Sequence, residues 1–150
     1  MKSDYYFGYG SNLSLEQMKE RCKNSELIGK ACLYGFQLDF NCYSRSWEGG
    51  VADVVSRKDS SVWGLTYKIS EADLQSLDRY EGHPNLYRRE ILEIVTGNET
   101  ALKAWVYTVV DKKNYIAPTN KYINIIKAAA VRYDFPDDYI LFINSFRTAE

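Results

Sequence analysis

Apolar and polar positions alternate along most of this chain, and the breaks in the alternation divide it into short strands and four helices. Asp4 to Tyr9 reads as the first strand. A loop follows, then the helix SLEQMKERC, with Ser14 as N-cap and Gln17 three residues on forming a capping box. Leu27 to Asn41 contains two strand-like runs broken near Leu33 to Gly35, and Val51 to Val55 and Val62 to Ile69 continue with β-branched and aromatic residues. Ser70 caps a second helix, SEADLQSLDRYE, which Gly82 and Pro84 end. Tyr87 to Val95 and Ala101 to Val110 flank TGNET as a hairpin, since Gly97 and Asn98 lie between two alternating runs. Pro118 and Thr119 open a third helix running to about Tyr133, and PDDYILFINSF forms a last one with Tyr139, Phe142, Ile143 and Phe146 on one face.

Strands that cluster, with helices inserted between groups of them, predict an α+β fold rather than a doubly wound parallel sheet. A small mixed β-barrel with helices packed around it is the expected architecture. No repeat, low-complexity tract or Pro/Gly/Ser-rich linker interrupts residues 1–150, which read as one domain.

Composition narrows the function classes. Lys plus Arg is 19 and Asp plus Glu is 20, so the formal charge of −1 gives no electrostatic footprint for nucleic acid or an anionic membrane. Neither is expected as a partner. MKSDYYFGYG lacks the apolar core of a signal peptide, and no apolar run approaches the roughly 18 residues a spanning helix needs, so the expectation is a cytoplasmic protein. Cys22, Cys32 and Cys42 are odd in number and evenly spread, which fits free thiols better than disulfides or a zinc site. With His83 the sole histidine, a His-rich metal site cannot be built and any Ser-His or Cys-His mechanism would have to use that one ring.

Three stretches carry candidate chemistry. The first is YFGYGSNLS, residues 6–14, where a strand runs through two glycines, a serine and an asparagine before a helix begins. It starts like a dinucleotide loop, but Leu13 stands where the last glycine would be and no βαβ unit follows; nor does it have the spacing of a nucleophile elbow. What remains is a set of backbone N–H groups at a helix N-terminus, flanked by Ser11 and Asn12, suited to a carboxylate or a developing oxyanion. A tight turn in which Asn12 only caps backbone groups is the plainer alternative.

The second stretch is LDRYEGHPNLYRR. Glu81 falls on the helix face of Leu74 and Leu77, in the last turn, where burial and the macrodipole both disfavour an anion. Both would raise its pKa and poise it as a general base. Pairing with Arg88 or Arg89, or fraying into solvent, is the alternative. In the third, SRSWEGGVADVV, Gly49 and Gly50 mark a tight bend, a close backbone approach or a plain hairpin turn. Tyr122, four residues beyond Pro118, reads from its pattern as core.

Taken together, Tyr6 to Leu13, Trp47 with Gly49 to Ala52, Asp78 to Gly82, and Pro118 with Tyr122 resemble the γ-glutamylcyclotransferase family, in the family's order over most of the chain. The resemblance implies a small mixed barrel and an intramolecular cyclisation, in which the α-amine of a γ-glutamyl group attacks its own γ-carbonyl to give 5-oxoproline and a released amine. It implies Glu81 as the catalytic acid/base; Tyr9, Gly10, Ser11, Asn12 and Leu13 as the substrate loop; and Gly49, Gly50 and Tyr122 as further substrate contacts. It implies no cofactor and a small-molecule partner, with the protein a monomer or homodimer. EGHPNLYRR looks like the branch acting on γ-glutamylamines and WEGGVA like the branch acting on γ-glutamyl amino acids, so the leaving group stays open. A non-catalytic module binding a small carboxylate, and an acyl transferase of a biosynthetic pathway, are the competing readings.

Overall fold

The computed structural model describes residues 3–150. The alternating segments become β1 (Tyr5–Gly8), β2 (Glu26–Ser44), β3 (Gly49–Lys68), β4 (Tyr87–Thr96) and β5 (Ala101–Val109), with helices α1 (Leu15–Arg21), α2 (Glu71–Glu81), α3 (Asn120–Arg132) and α4 (Asp137–Asn144). The strands close into a barrel in the order β1-β3-β2-β4-β5. All neighbours are antiparallel except β1 and β5, which meet in parallel at Tyr6 and Trp105. The barrel is therefore mixed, and closure leaves no open sheet edge.

β2 and β3 form one long hairpin where four shorter strands were expected. The two expected breaks face each other. Tyr34 pairs with Ser61 and Phe36 with Ser56, so residues 57–60 bulge outward opposite Gly35, whose φ of 83° is a backbone conformation glycine adopts without strain. The polar run that interrupted the pattern is this bulge, carried outside the core by a ladder that continues on both sides.

Inward positions of every strand meet in one core. Phe7, Leu38, Phe40, Val62, Leu65, Tyr67, Ile94 and Val106 are all essentially inaccessible, and α3 closes the assembly with Ile123, Ile126 and Ala130. Burying each large aliphatic or aromatic side chain contributes about 1.5–3 kcal/mol. Among these residues, Asp53 carries a carboxylate with no exposure at all. Asn41 Nδ2 and the Val109 N–H each donate to it at 2.9 Å, and Lys112 Nζ does so at 2.6 Å. A buried charge without such partners would cost several kcal/mol, so this cluster locks the β2–β3 hairpin to the end of β5.

Helix ends follow their local chemistry. Ser70 and Asp73 make a full capping box on α2, and Thr119 caps α3 by accepting the Tyr122 N–H. At α1 the expected box is half made. Ser14 accepts the Gln17 N–H at 3.2 Å, but the Gln17 side chain turns away to the preceding loop.

Candidate active site

Glu81 is the last residue of α2, and Gly82 ends that helix in the left-handed conformation at φ 66°. The helix therefore stops with the Glu81 side chain above Leu77, which is fully buried, and inside a cavity of about 450 Å³. Its side chain is 18% exposed, and the nearest cation is Arg21, with Nη1 4.0 Å from Oε1. Arg88 and Arg89 do not reach it: Arg88 faces Glu90, and Arg89 donates to Asp78 at 2.8 Å while stacking on Trp105. Burial pushes the Glu81 carboxyl up to about 7, with Arg21 holding it back in part. Among the described residues this is the one carboxylate lining the cavity, and it is poised to exchange a proton near neutral pH.

The loop between β1 and α1 forms the facing wall. Residues Ser11–Leu13 make a single 3₁₀ turn in which the Leu13 N–H donates to the Gly10 carbonyl and the Ser14 N–H to that of Ser11. Those two donors are consumed by the turn, so the anion cradle expected of the loop narrows to the groups before Leu13. The loop is held from several sides. Gln17 Nε2 donates to Ser11 Oγ and Asn12 Oδ1, both at 2.8 Å, and Asn12 Nδ2 donates to the Tyr6 hydroxyl at 2.9 Å. Tyr67 donates to the Asn12 carbonyl at 2.7 Å. Gly10 has no room for a side chain, since a Cβ there would lie 2.8 Å from the Tyr122 hydroxyl.

Tyrosines line much of what is left. The Ala52 N–H donates to the Tyr122 hydroxyl at 3.0 Å, while Tyr87 donates to the Ala52 carbonyl and Tyr9 to the Tyr107 carbonyl, both at 2.6 Å. Burial pushes the hydroxyls of Tyr6, Tyr9, Tyr87, Tyr107 and Tyr122 well above the ordinary tyrosine range. They stay protonated and serve as neutral hydrogen-bonding groups. Burial likewise raises the Cys42 thiol, which disfavours the thiolate a nucleophilic cysteine requires.

Of the residues singled out from the sequence, Tyr9, Gly10, Ser11, Asn12, Glu81 and Tyr122 line this one cavity. Leu13, Gly49 and Gly50 do not. Leu13 turns into the core at 3% exposure, because the 3₁₀ turn points it away from the opening. Gly49 and Gly50 begin β3 and pack against the chain leading into α3; a Cβ on Gly50 would sit 1.8 Å from the Ile116 carbonyl oxygen. Their glycines thus serve a close backbone approach. Tyr122 is both core and cavity wall, buried in its ring and facing the loop with its hydroxyl.

Arg21, Arg45, Trp47, Tyr87 and Tyr107 also line the cavity and were not singled out for it from the sequence. Arg21 reads as an ordinary last-turn cation on an amphipathic helix. Tyr87 and Tyr107 had a usable signal, since each occupies a regular alternating position in a strand where an aliphatic residue would pack as well.

A closed mixed barrel, in which a half-buried carboxylate shares a cavity with a pinned Gly-Ser-Asn loop, defines a γ-glutamylcyclotransferase-like fold. The family described as "Gamma-glutamyl cyclotransferase, AIG2-like" matches residues 6–124, and the chain belongs to that family. It is 31% identical over 147 residues to a Homo sapiens protein named gamma-glutamylcyclotransferase, covering 92% of this chain and 76% of that one. The Bos taurus protein of the same name is 30% identical over 153 residues, with 96% and 79% covered. A solved structure named gamma-glutamyl cyclotransferase superposes with a TM-score of 0.91 at 26% identity, covering 99% of this chain and 90% of that one.

Proposed function

We propose that this protein cyclises the γ-glutamyl group of a small γ-glutamyl amino acid to 5-oxoproline and releases the amino acid, with Glu81 as the acid/base. The observation that carries the reading is Glu81 itself, a half-buried carboxyl raised to about 7 in the same cavity as the Gly10–Asn12 loop. A site that only bound a small carboxylate would gain nothing from such an anion. Family membership supports the same chemistry.

The Arg21–Glu81 pair, 4.0 Å apart, matches an α-amino-acid head group: the α-carboxylate faces the guanidinium and the α-ammonium faces Glu81. Glu81 takes one proton from the ammonium, and the freed amine attacks the γ-carbonyl carbon. The carbonyl electrons move onto oxygen, where donors of the Gly10–Asn12 loop stabilise the charge; each well-placed donor is worth about 3 kcal/mol. Collapse re-forms the carbonyl and breaks the bond to the leaving nitrogen, to which Glu81 returns its proton. The attacking nitrogen loses its second proton as it becomes the lactam N–H, and that proton ends on the released amine. The leaving nitrogen thus gains the two protons that the attacking nitrogen lost, and no net proton comes from solvent. Because nucleophile and electrophile belong to one molecule, holding the substrate bent supplies roughly 7–11 kcal/mol.

Among the described residues, the cavity is lined by two cations, Arg21 and Arg45, and one carboxylate, Glu81. That balance suits a substrate with two carboxylates and one ammonium, which favours a γ-glutamyl amino acid over a γ-glutamylamine. The test is 5-oxoproline release from a panel of both substrate types. Release from γ-glutamyl amino acids is expected; binding without release would leave a carboxylate-binding module instead.

A further inference from the structure

Arg45 is a cation that the chemistry at Glu81 does not use. It lies in the turn joining β2 to β3, is exposed, and lines the mouth of the cavity. It makes no ion pair among the described residues. Arg21, by contrast, is committed to the inner end: its side chain is 17% exposed, it donates to Asn12 Oδ1 at 3.3 Å, and it stacks over Tyr80 at 4.5 Å.

The turn that carries Arg45 is braced against the site. The Ser44 and Ser46 hydroxyls bond to each other at 3.1 Å, and the Trp47 N–H donates to Ser44 Oγ at 3.3 Å. The Trp47 ring packs edge-on against Tyr122, with centroids 5.0 Å apart. The backbone of Arg45 is thereby braced relative to the cavity, while its guanidinium has no ion-pair partner among the described residues. Glu48, the carboxylate of the same turn, does not line the cavity.

We propose that Arg45 is a specificity residue that reads the carboxylate of the leaving group. The inference rests on the cyclotransferase reading and adds to it: an inner arginine for the γ-glutamyl head, and an outer one that selects leaving groups bearing a carboxylate. A planar fork of N–H donors binds a carboxylate in two parallel hydrogen bonds, which an ammonium on a flexible stem reproduces only in part. The contact is remote from the reacting atoms, so it acts on substrate binding and appears in KM more than in kcat.

The experiment compares kcat/KM for γ-glutamyl-L-alanine and γ-glutamyl-ethylamide, which differ only by that carboxylate, in the native protein, Arg45→Gln and Arg45→Lys. The native protein is expected to prefer the alanine substrate by about two- to fivefold, as for an exposed ion pair. Arg45→Gln loses most of the preference through KM, Arg45→Lys keeps part of it, and about 0.5 M salt compresses the native preference. No native preference, a preference retained in Arg45→Gln, or an equal loss on both substrates would overturn the proposal. Absence of 5-oxoproline from both substrates with native protein would instead remove the cyclotransferase reading, and this one with it.

Discussion

Glu81 is held where burial opposes its ionisation and only Arg21 favours it, and both effects are open to titration. If Glu81 is the base, kcat/KM rises with pH through about 7 as the carboxylate forms. In Arg21→Met the acid limb moves to higher pH, because the influence that lowers the Glu81 value is gone; a pH profile unmoved by this change would show that the limb belongs to another group. The same carboxyl bears on stability. Its folded value is raised above its ordinary 4.5, so the folded protein holds the proton more tightly than the unfolded chain does. The carboxyl therefore costs nothing below pH 4.5 and its full penalty above about 7. Glu81→Gln has no such penalty. Between these limits the stability difference should move by about 3 kcal/mol in favour of the glutamine variant, measurable by urea unfolding at acid and alkaline pH. The position of Glu81 was legible in the sequence because it breaks two local rules at once. Arg21 breaks none, and its importance comes only from the folding of α1 against α2.

Elements were legible as far as their signals are local. Caps at Ser14, Ser70 and Thr119, the end of α2 at Gly82, and the β4–β5 hairpin all lie within a few residues of their cause. The β2–β3 hairpin was read in pieces because the bulge at residues 57–60 looks like a loop, and only its pairing on both sides shows one continuous strand. Gln17 was assigned to a capping box, whereas its amide holds the loop through Ser11 and Asn12. Gln17→Met leaves the Ser14 cap on the backbone N–H intact, so we expect a stability loss of only about 1–2 kcal/mol, together with a fall in kcat/KM of about tenfold or more from misplaced loop donors. Equal activity would show that the loop does not depend on this brace. At the start of β3, Gly50→Ala meets the Ile116 backbone rather than a movable side chain. Its expected cost is about 3 kcal/mol or more, read as a fall in Tm.

Across the whole molecule, the cavity draws on the β1–α1 loop, the ends of α1 and α2, the β2–β3 turn, strands β3, β4 and β5, and the first turn of α3. The α+β class and the mixed barrel followed from how strands and helices cluster along the chain. The strand order did not, because β1 sits between β3 and β5 through pairings that join residues far apart in sequence. The meeting of the Gly10–Asn12 loop with Glu81 is also a product of closure, and in the sequence it was expected from the family resemblance rather than from any local pattern. The account stands on that meeting being catalytic, and the most direct test is 5-oxoproline release from γ-glutamyl-L-alanine by the native protein and by Glu81→Gln, each shown by circular dichroism to be folded. The account predicts that the native protein yields 5-oxoproline and alanine in equal amounts and that the variant is slower by about 10²- to 10⁴-fold. Equal rates from two folded proteins would contradict it.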